Sequence, residues 1–210
     1  MQEITKFIAG FKQFKNQYFS EENERFAHLR HGQSPKVLLI GCSDSRVDPA
    51  LLTGCAPGDL FVVRNVANLI PPAEHDSSHH GVSAALEYAV CHLEVEHIII
   101  LGHSKCGGIK ALLEGVPEGK PAEYIGPWVS IANRAREQVL NQLAEKPAEK
   151  QAMACEQAAI LVSLENLMTY PWLKERVEAG DVSLHGWYVD ITSGQLFSYH
   201  PANGAFEAVS

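Results

Sequence analysis

The sequence predicts an α/β fold: a single domain with a mostly parallel central β-sheet, helices on its faces and antiparallel strands at one edge. Three short apolar runs support this prediction, "VLLIGC", "LFVVRN" and "HIIILGH". Runs of this length that are rich in Val and Ile are typical of strands buried on both faces, as in parallel sheets. A helical pattern lies between the second and third runs, so strand, helix and strand form one crossover unit.

The N-terminal segment predicts an amphipathic helix over residues 5–29. Apolar side chains recur there at helical spacing among Lys, Gln and Asn, namely Ile8, Phe11, Phe14, Tyr18 and Phe19. The sequence "GQSPK" then breaks the helix. We therefore expect a single domain, 1–210, made of an N-terminal helical arm, 1–31, and an α/β core, 32–210.

Helical and turn patterns account for the rest of the chain. "SSHHGVSAALEYAVCHLE" predicts the crossover helix, and "GIKALLEG" predicts a helix that a glycine ends. A loop rich in Gly and Pro follows, and two longer helices are expected over roughly 128–143 and 148–168. The segment "SLHGWYVDITSGQLFSYH" alternates around a Ser-Gly turn, which predicts an antiparallel hairpin.

Composition and charge argue against several classes of protein. The 210 residues carry a formal net charge of -8 and no basic run, which argues against a nucleic-acid partner. No apolar stretch is long enough to span a membrane, and the N-terminus lacks the apolar region of a signal peptide. We therefore predict a cytoplasmic protein without membrane contact. Five cysteines, an odd number without a secretory signal, argue against a disulfide framework.

Two of the predicted strands end in residues that can bind a metal or a substrate. Cys42, Asp44 and Arg46 follow the first strand, and His103 and Cys106 follow the third. Open parallel sheets bind ligands beyond the carboxyl ends of their strands. If these two strands are neighbours, two thiolates and one imidazole converge. That set suits tetrahedral zinc and leaves a fourth position open.

The local sequence supports a metal site. Cys106 lies near the start of the next predicted helix, where the positive end of the helix favours a thiolate. Glycines around the His-x-x-Cys turn permit a tight backbone. Asp44 can reach the same ion or a water on it, and Arg46 can hold that carboxylate by paired hydrogen bonds.

Each residue also has a simpler explanation when it is taken alone. A cysteine at a strand end is often a small buried hydrophobic residue. Asp44 with Arg46 could form only a turn and its ion pair. No partner lies at ligand spacing from Cys55, Cys91 or Cys155, so we interpret these three as structural.

The combination of motifs favours the metal site. "CSDSR" is followed about sixty residues later by "GHSKCGG", with "PGDLFVVRNVAN" and "GVSAALEYAV" between them. In this combination the sequence closely resembles the β-class carbonic anhydrases. The similarity runs from about residue 32 to residue 113 and resumes at "LHGW", so it covers most of the chain.

The resemblance implies one zinc ion per protomer, held by Cys42, His103 and Cys106, and a catalytic dyad of Asp44 and Arg46. It also implies the reaction, the reversible hydration of carbon dioxide to bicarbonate and a proton. In that mechanism hydroxide on the zinc, oriented by the dyad, attacks carbon dioxide. Zinc lowers the pKa of a bound water to about 7, which supplies hydroxide near neutral pH.

The resemblance further implies a substrate pocket made of Gln33, Phe61, Val66, Tyr88 and the backbone N–H of Gly107. In the family this pocket lies at a dimer interface, so we expect a homodimer or an assembly of dimers. Gln33 and Tyr88 are expected to work across or beside that interface. The N-terminal helix is expected to pack on the partner protomer.

The family has a second subgroup in which the site closes at lower pH, with the residue that matches Asp44 as a fourth zinc ligand. Its regulatory bicarbonate pocket uses a Trp, an Arg and a Tyr. Here Leu39 stands where that Trp would be, although Arg64 is present. Because Gln33 is present and the Trp is absent, we predict the plant-like subgroup with an open site.

Three other functions use the same residues. Hydroxide on zinc could attack COS or CS2, and access to the pocket would decide between these substrates and carbon dioxide. A structural zinc module would close its site with Asp44 as the fourth ligand. A redox or metal-sensing protein would use exposed thiolates, but the chain has no C-x-x-C motif, which argues against it.

Overall fold

The computed structural model describes residues 2–19, 24–74, 76 and 78–209. The chain divides into two compact units, Met1–Ser34 and Pro35–Ser210. None of the helices in the described residues has the length and hydropathy that a bilayer-spanning segment needs. The predicted extents of the arm, 1–31, and of the core, 32–210, stay predictions.

The N-terminal unit contains two helices, α1 (Gln2–Tyr18) and α2 (Glu24–Leu29). The helix predicted over 5–29 is therefore present in two pieces, and residues 20–23 lie outside the described residues. Ring centroids 4.5 to 6.0 Å apart join four aromatic side chains of this unit, Phe14, Tyr18, Phe19 and Phe26. Other apolar side chains of α1 are exposed: Ile4, Phe7, Ile8 and Phe11.

The main unit is built on one sheet, to which the described residues contribute six strands. The strands are β1 (Val37–Cys42), β2 (Leu60–Asn65), β3 (His97–His103), β4 (Ser183–Asp190), β5 (Gln195–His200) and β6 (Ala205–Ala208). Their order is β2-β1-β3-β4-β5-β6. The first four are parallel, and β5 and β6 each run antiparallel to the preceding strand. The predicted fold class is confirmed.

Helices flank this sheet. The helices of the main unit are α3 (Pro49–Thr53), α4 (Gly81–Glu87), α5 (Gly107–Glu114), α6 (Ile125–Val129), α7 (Asn133–Gln142), α8 (Ala148–Leu167) and α9 (Pro171–Glu178). A π turn, Tyr88–His92, continues α4. Side chains of β1 and β3 alternate between the faces, so Leu38 and Ile98 join the largest core cluster while Leu39 and Ile99 face the other way.

Several short elements differ from the sequence-based expectation. The helix expected over 128–143 begins earlier, and a 3-10 turn at Ser130–Ala132 divides it into α6 and α7. The short elements α3, α9 and β6 were not predicted, because too few residues show a period in them. Helices α3 and α9 both begin with Pro. The fixed φ of Pro suits the first helical position, but in a sequence Pro usually signals a turn.

Helix α8 lies unusually close to the strands that carry the site. A Cβ atom at Gly102, in β3, would lie 2.7 Å from Cδ1 and 2.9 Å from Cγ1 of Ile160. A Cβ at Gly186, in β4, would lie 3.0 Å from Cγ2 of the same side chain. The two glycines therefore let one isoleucine of α8 pack directly on the backbone of two adjacent strands.

Replacing Gly102 by Ala should therefore destabilise the protein. The new methyl group overlaps Ile160, and overpacking of this kind costs about 1–3 kcal/mol in free energy of unfolding. Urea unfolding measures the change, and adding Ile160→Val, which removes Cδ1, should recover part of it. The matched control is Gly126→Ala in α6, because an added Cβ there meets no atom within 4 Å. Equal stability of the Gly102 and Gly126 variants would contradict this packing.

Candidate metal centre

The candidate ligands lie where two neighbouring parallel strands end. β1 pairs directly with β3, with Gly41 opposite Leu101. Cys42 is the last residue of β1 and His103 is the last residue of β3. The chain leaves β1 toward β2 on one side, whereas β3 lies on the other, so the strand order reverses here. Such a switch point is the usual ligand site of an open α/β sheet.

Three ligand atoms meet at this point. One ligand atom each from Cys42, His103 and Cys106 lies within 4.8 Å of the other two, and all three residues are buried. The two Sγ atoms are 3.9 Å apart, far longer than a disulfide bond of about 2.05 Å. Two sulfurs bound at about 2.3 Å to a tetrahedral zinc ion would lie about 3.8 Å apart, so the pair fits a shared zinc.

The imidazole of His103 is poised to bind a metal through Nε2. Its Nδ1 donates a hydrogen bond to the carbonyl oxygen of Ser104 at 2.9 Å, which leaves the lone pair on Nε2. The Nε2 atom is buried and has no hydrogen-bond partner among the described residues. A buried polar atom without a partner is costly, and a metal ion would satisfy it. The donor set therefore fits zinc.

The contact between the two thiols shifts their pKa values in opposite directions. The pKa of Cys42 is lowered to about 4, chiefly by the hydrogen bond with Cys106; His103 and the backbone N–H groups of Asp44 and Ala67 act in the same direction, and burial opposes them. The same contact raises the pKa of Cys106, and burial adds to that effect. Cys42 is thus the more acidic thiol of the pair. Because thiolates are the forms that bind metal, a bound metal would displace the protons that the two thiols carry.

Asp44 and Arg46 form the predicted pair. Both carboxylate oxygens of Asp44 accept hydrogen bonds from the guanidinium, at 2.9 Å from Nε and 2.6 Å from Nη2. These bonds hold the pKa of Asp44 well below its usual range. Oδ2 of Asp44 lies 4.0 Å from Nε2 of His103. A fixed carboxylate therefore lies beside the buried ligand cluster.

Arg46 also links the two ligand-bearing segments. Its Nη2 donates to the carbonyl oxygen of Lys105, at 3.1 Å, between His103 and Cys106. The guanidinium thus contacts both the segment that follows β1 and the segment that follows β3. Displacing Arg46 would loosen the carboxylate and this link together.

A second arginine, Arg64 in β2, holds the end of β1 and the segment after it by hydrogen bonds; we call these contacts the Arg64 clamp. It donates to the carbonyl oxygens of Cys42 at 2.9 Å and Asp44 at 2.7 Å. Its Nη1 donates at 2.7 Å to Asp48, which also caps α3. The sequence analysis gave Arg64 no such role. The only available signal was a charged residue inside the apolar run "LFVVRN".

A strained turn after β2 forms another wall of the site. Ala67 and Asn68 have φ values of 63° and 49°, in the left-handed region that non-glycine residues rarely adopt. An added Cβ at Gly108 would lie 2.7 Å from Cγ1 of Val66, so this turn packs against the start of α5. Trp128 Nε1 donates to the carbonyl oxygen of Val66 at 2.7 Å and holds the turn from α6.

The predicted pocket residues fall into separate places. Val66 and Gly107 lie beside the ligand cluster, at the turn after β2 and the first residue of α5. Phe61 and Tyr88 contact each other, with ring centroids 5.9 Å apart. Phe61 pairs with Leu38, four residues before Cys42, which is about 13 Å along the strand at about 3.3 Å per residue. Gln33 is exposed and belongs to the N-terminal unit.

The fold and the site together define an α/β protein with a buried Cys-His-Cys cluster that could hold a metal ion, beside an Asp-Arg pair. A family model described as carbonic anhydrase matches residues 37–196. A carbonic anhydrase from Synechocystis sp. is 41% identical over 198 residues, which are 93% of this chain and 71% of that protein. The chain belongs to the carbonic anhydrase family, in its β class, and is an enzyme of that family.

Other relatives agree with this assignment. The chloroplastic beta carbonic anhydrase 5 of Arabidopsis thaliana is 42% identical over 178 residues, 85% of this chain and 58% of that protein. The chain therefore spans less than two thirds of that relative. The solved structure of the β-carbonic anhydrase CcaA has a TM-score of 0.91 and 38% identity, covering 100% of this chain and 93% of that one. A tetrameric β-carbonic anhydrase of Sordaria macrospora has a TM-score of 0.76 and 29% identity, covering 99% and 96%.

Removing the Arg64 clamp should destabilise the protein and weaken metal retention. Arg64→Ala leaves two backbone carbonyls and Asp48 without their charged donor, which should cost about 2–4 kcal/mol in free energy of unfolding. Arg134→Ala is the matched control, because it removes only an ion pair with Glu165 between largely exposed side chains. That change should cost less than about 1 kcal/mol. Urea unfolding and zinc analysis compare the two variants. Equal losses of stability and of bound zinc in both would contradict the role of the Arg64 clamp.

Proposed function

We propose that this protein catalyses the zinc-dependent reversible hydration of carbon dioxide to bicarbonate and a proton. Cys42, His103 and Cys106 would hold the zinc ion, and Asp44 and Arg46 would form the catalytic dyad. The observation that carries the proposal is the fixed carboxylate of Asp44, 4.0 Å from the unpartnered Nε2 of His103 in a member of this family.

Zinc in this site would supply an acidified water that can attack carbon dioxide near neutral pH. The contribution of the chain is positional. Asp44 can accept a hydrogen bond from the reacting water, and Arg46 fixes the direction in which it does so. The Val66 side chain lies against Gly108, two residues after the ligand Cys106, and the space beside Gly107 is open, since a Cβ there would meet nothing within 4 Å.

The contacts of Asp44 favour the open, plant-like form of the site. Both of its oxygens are engaged by Arg46, and Oδ1 also accepts from the backbone N–H of that residue at 3.0 Å. Asp44 would have to break these bonds before it could serve as a fourth ligand. Leu39 is fully buried in the core where the other subgroup would place its Trp. Arg64 corresponds to the arginine of that subgroup's regulatory bicarbonate pocket, and here its hydrogen bonds are directed to protein acceptors.

The distribution of pocket residues supports a homodimer as the working unit. Phe61 and Tyr88 lie away from the ligand cluster of their own chain, and Tyr88 is 46% exposed. A second copy could therefore receive them as the apolar part of its pocket. Large apolar side chains elsewhere on the main unit are also exposed, Leu51 at 84% and Tyr124 at 83%. The Sordaria macrospora relative, which is tetrameric, is consistent with an assembly of dimers.

Asp44→Ala should abolish most of the activity without removing the metal. Losing an oriented acceptor should lower kcat/KM for carbon dioxide hydration about 100-fold or more. Stopped-flow hydration assays, with zinc content measured on the same samples, test this expectation. Glu114→Ala is the control, because it removes an exposed carboxylate from α5 that pairs only loosely with Lys110. A wild-type protein that carries zinc but does not accelerate hydration would overturn the proposal. Sulfide release from COS, measured on the same protein, would indicate another substrate.

A mixing experiment tests whether two protomers share the pocket. Tyr88→Ala and Asp44→Ala homodimers should each be impaired, but a mixed dimer would contain one intact pocket. After unfolding and refolding together at equal amounts, activity should rise to about a quarter of the wild-type value, since half of the dimers are mixed and half of their pockets are intact. Refolding each variant alone is the control. No gain on mixing would show that Tyr88 serves its own protomer.

A further inference from the structure

A buried carboxylate lies directly behind the metal centre. Glu156 is on α8 and is only 5% exposed, among the apolar side chains that line this helix. A buried carboxylate is costly unless hydrogen bonds compensate for the lost water. Neither the catalytic dyad nor the ligand set includes this residue. Its place in the core therefore calls for a function.

The contacts of Glu156 lead to a metal ligand. Oε1 accepts a hydrogen bond from the backbone N–H of Cys106 at 3.0 Å. Oε2 accepts a hydrogen bond from the hydroxyl of Tyr188 at 2.8 Å. Tyr188 is itself buried, at 2% exposed, in β4. A chain of two hydrogen bonds therefore runs from a rigid strand through the carboxylate to the backbone of Cys106.

The backbone at Cys106 needs such support. The preceding residue, Lys105, has a φ of 58°, a left-handed conformation that costs energy for any residue but glycine. On one side of it, Ser104 is tied to β4 by its N–H to Val189 and its hydroxyl to Asp190. On the other side, Glu156 receives the N–H of Cys106. The turn between His103 and Cys106 is thus held at both ends.

The position of Glu156 is fixed by the close packing of α8. Ile160 follows one helical turn later on the same face and packs against Gly102, the residue before His103. The helix cannot slide or rotate without losing that contact. The carboxylate therefore reaches Cys106 from a place that the packing of α8 on β3 determines.

We propose that Glu156 is a positioning residue for the metal ligand Cys106, and that Tyr188 in turn holds Glu156. The inference rests on the zinc ligation proposed above. Its physical content is that the hydrogen bond to the N–H of Cys106 keeps the thiolate aimed at the metal. Partners of this kind, one step behind a metal ligand, typically change metal affinity about 10–100-fold when they are removed.

The hydrogen bond, and not the negative charge, is the essential feature. A glutamine at this position could still accept from Cys106 through its carbonyl oxygen, and its amide nitrogen could donate to the Tyr188 oxygen. Glu156→Gln should therefore keep zinc affinity within about threefold of the wild type. Glu156→Leu, similar in size but unable to accept, should weaken zinc binding about tenfold or more.

The test measures zinc affinity by competition with a chromophoric chelator, and the thiolate-to-cobalt absorption of the Co²⁺-substituted proteins. The absorption reports the orientation of the thiolates independently of catalysis. Tyr188→Phe should weaken zinc binding and shift this band. Tyr170→Phe is its matched control: that hydroxyl is also buried and hydrogen-bonded, to Ser83 and Pro71, but leads to no ligand. Urea unfolding of the metal-free proteins measures the loss of stability separately.

The expected result is that both tyrosine variants lose stability and only Tyr188→Phe alters zinc affinity and the cobalt band. Unchanged zinc affinity and cobalt spectra in both Tyr188→Phe and Glu156→Leu would overturn the inference, as would an equal loss in Glu156→Gln and Glu156→Leu. If Glu156→Leu does not fold, the comparison of the two tyrosine variants decides. A wild-type protein without zinc affinity would instead contradict the proposed function.

Discussion

The parallel pairing of β1 with β3 is the constraint on which the rest of the site depends. It puts Cys42 and His103 at the same edge of the sheet, and the flanking strands β2 and β4 fix the register from both sides. A slip of one residue would turn the side chains to the opposite face, and a slip of two would move them by about 6.6 Å. Either change exceeds what three ligand atoms within 4.8 Å of one another can tolerate.

Strand pairing brings the ligands to one edge, but polar contacts fix the segments that carry them. Arg46, on the segment after β1, donates to a backbone carbonyl of the segment after β3, and Arg64, in β2, donates to backbone carbonyls at the end of β1 and just beyond it. These bonds let the turns adopt strained backbone conformations, such as that of Lys105, which isolated peptides would avoid. The result is a rigid donor set in which Nε2 of His103 is buried and unpartnered. Preorganisation of this kind reduces the cost of binding a metal and orienting a reactant.

The sequence predicted the parallel strands and the terminal hairpin well, because buried strands leave apolar runs and hairpins leave turn residues. It predicted the ligand cluster through the spacing of the two motifs and their resemblance to a family. It could not predict the clamp by Arg64 or the buried Glu156, since each acts on a residue more than twenty positions away. It also did not show that Phe61 and Tyr88 lie away from the ligands of their own chain, because that depends on register.

By itself, the sequence determined the fold class, through its local patterns, and it predicted candidate ligand and dyad residues, through motif spacing and family resemblance. Only the tertiary structure decided how these residues are held. Gly102 and Gly186 show why, since their importance comes from side chains distant in sequence, above all the isoleucine of α8 that packs on both. The hydrogen bonds to Cys106 and to the segment after β1 likewise join distant parts of the chain. Local sequence patterns carry no information about such partners, because packing between elements selects them.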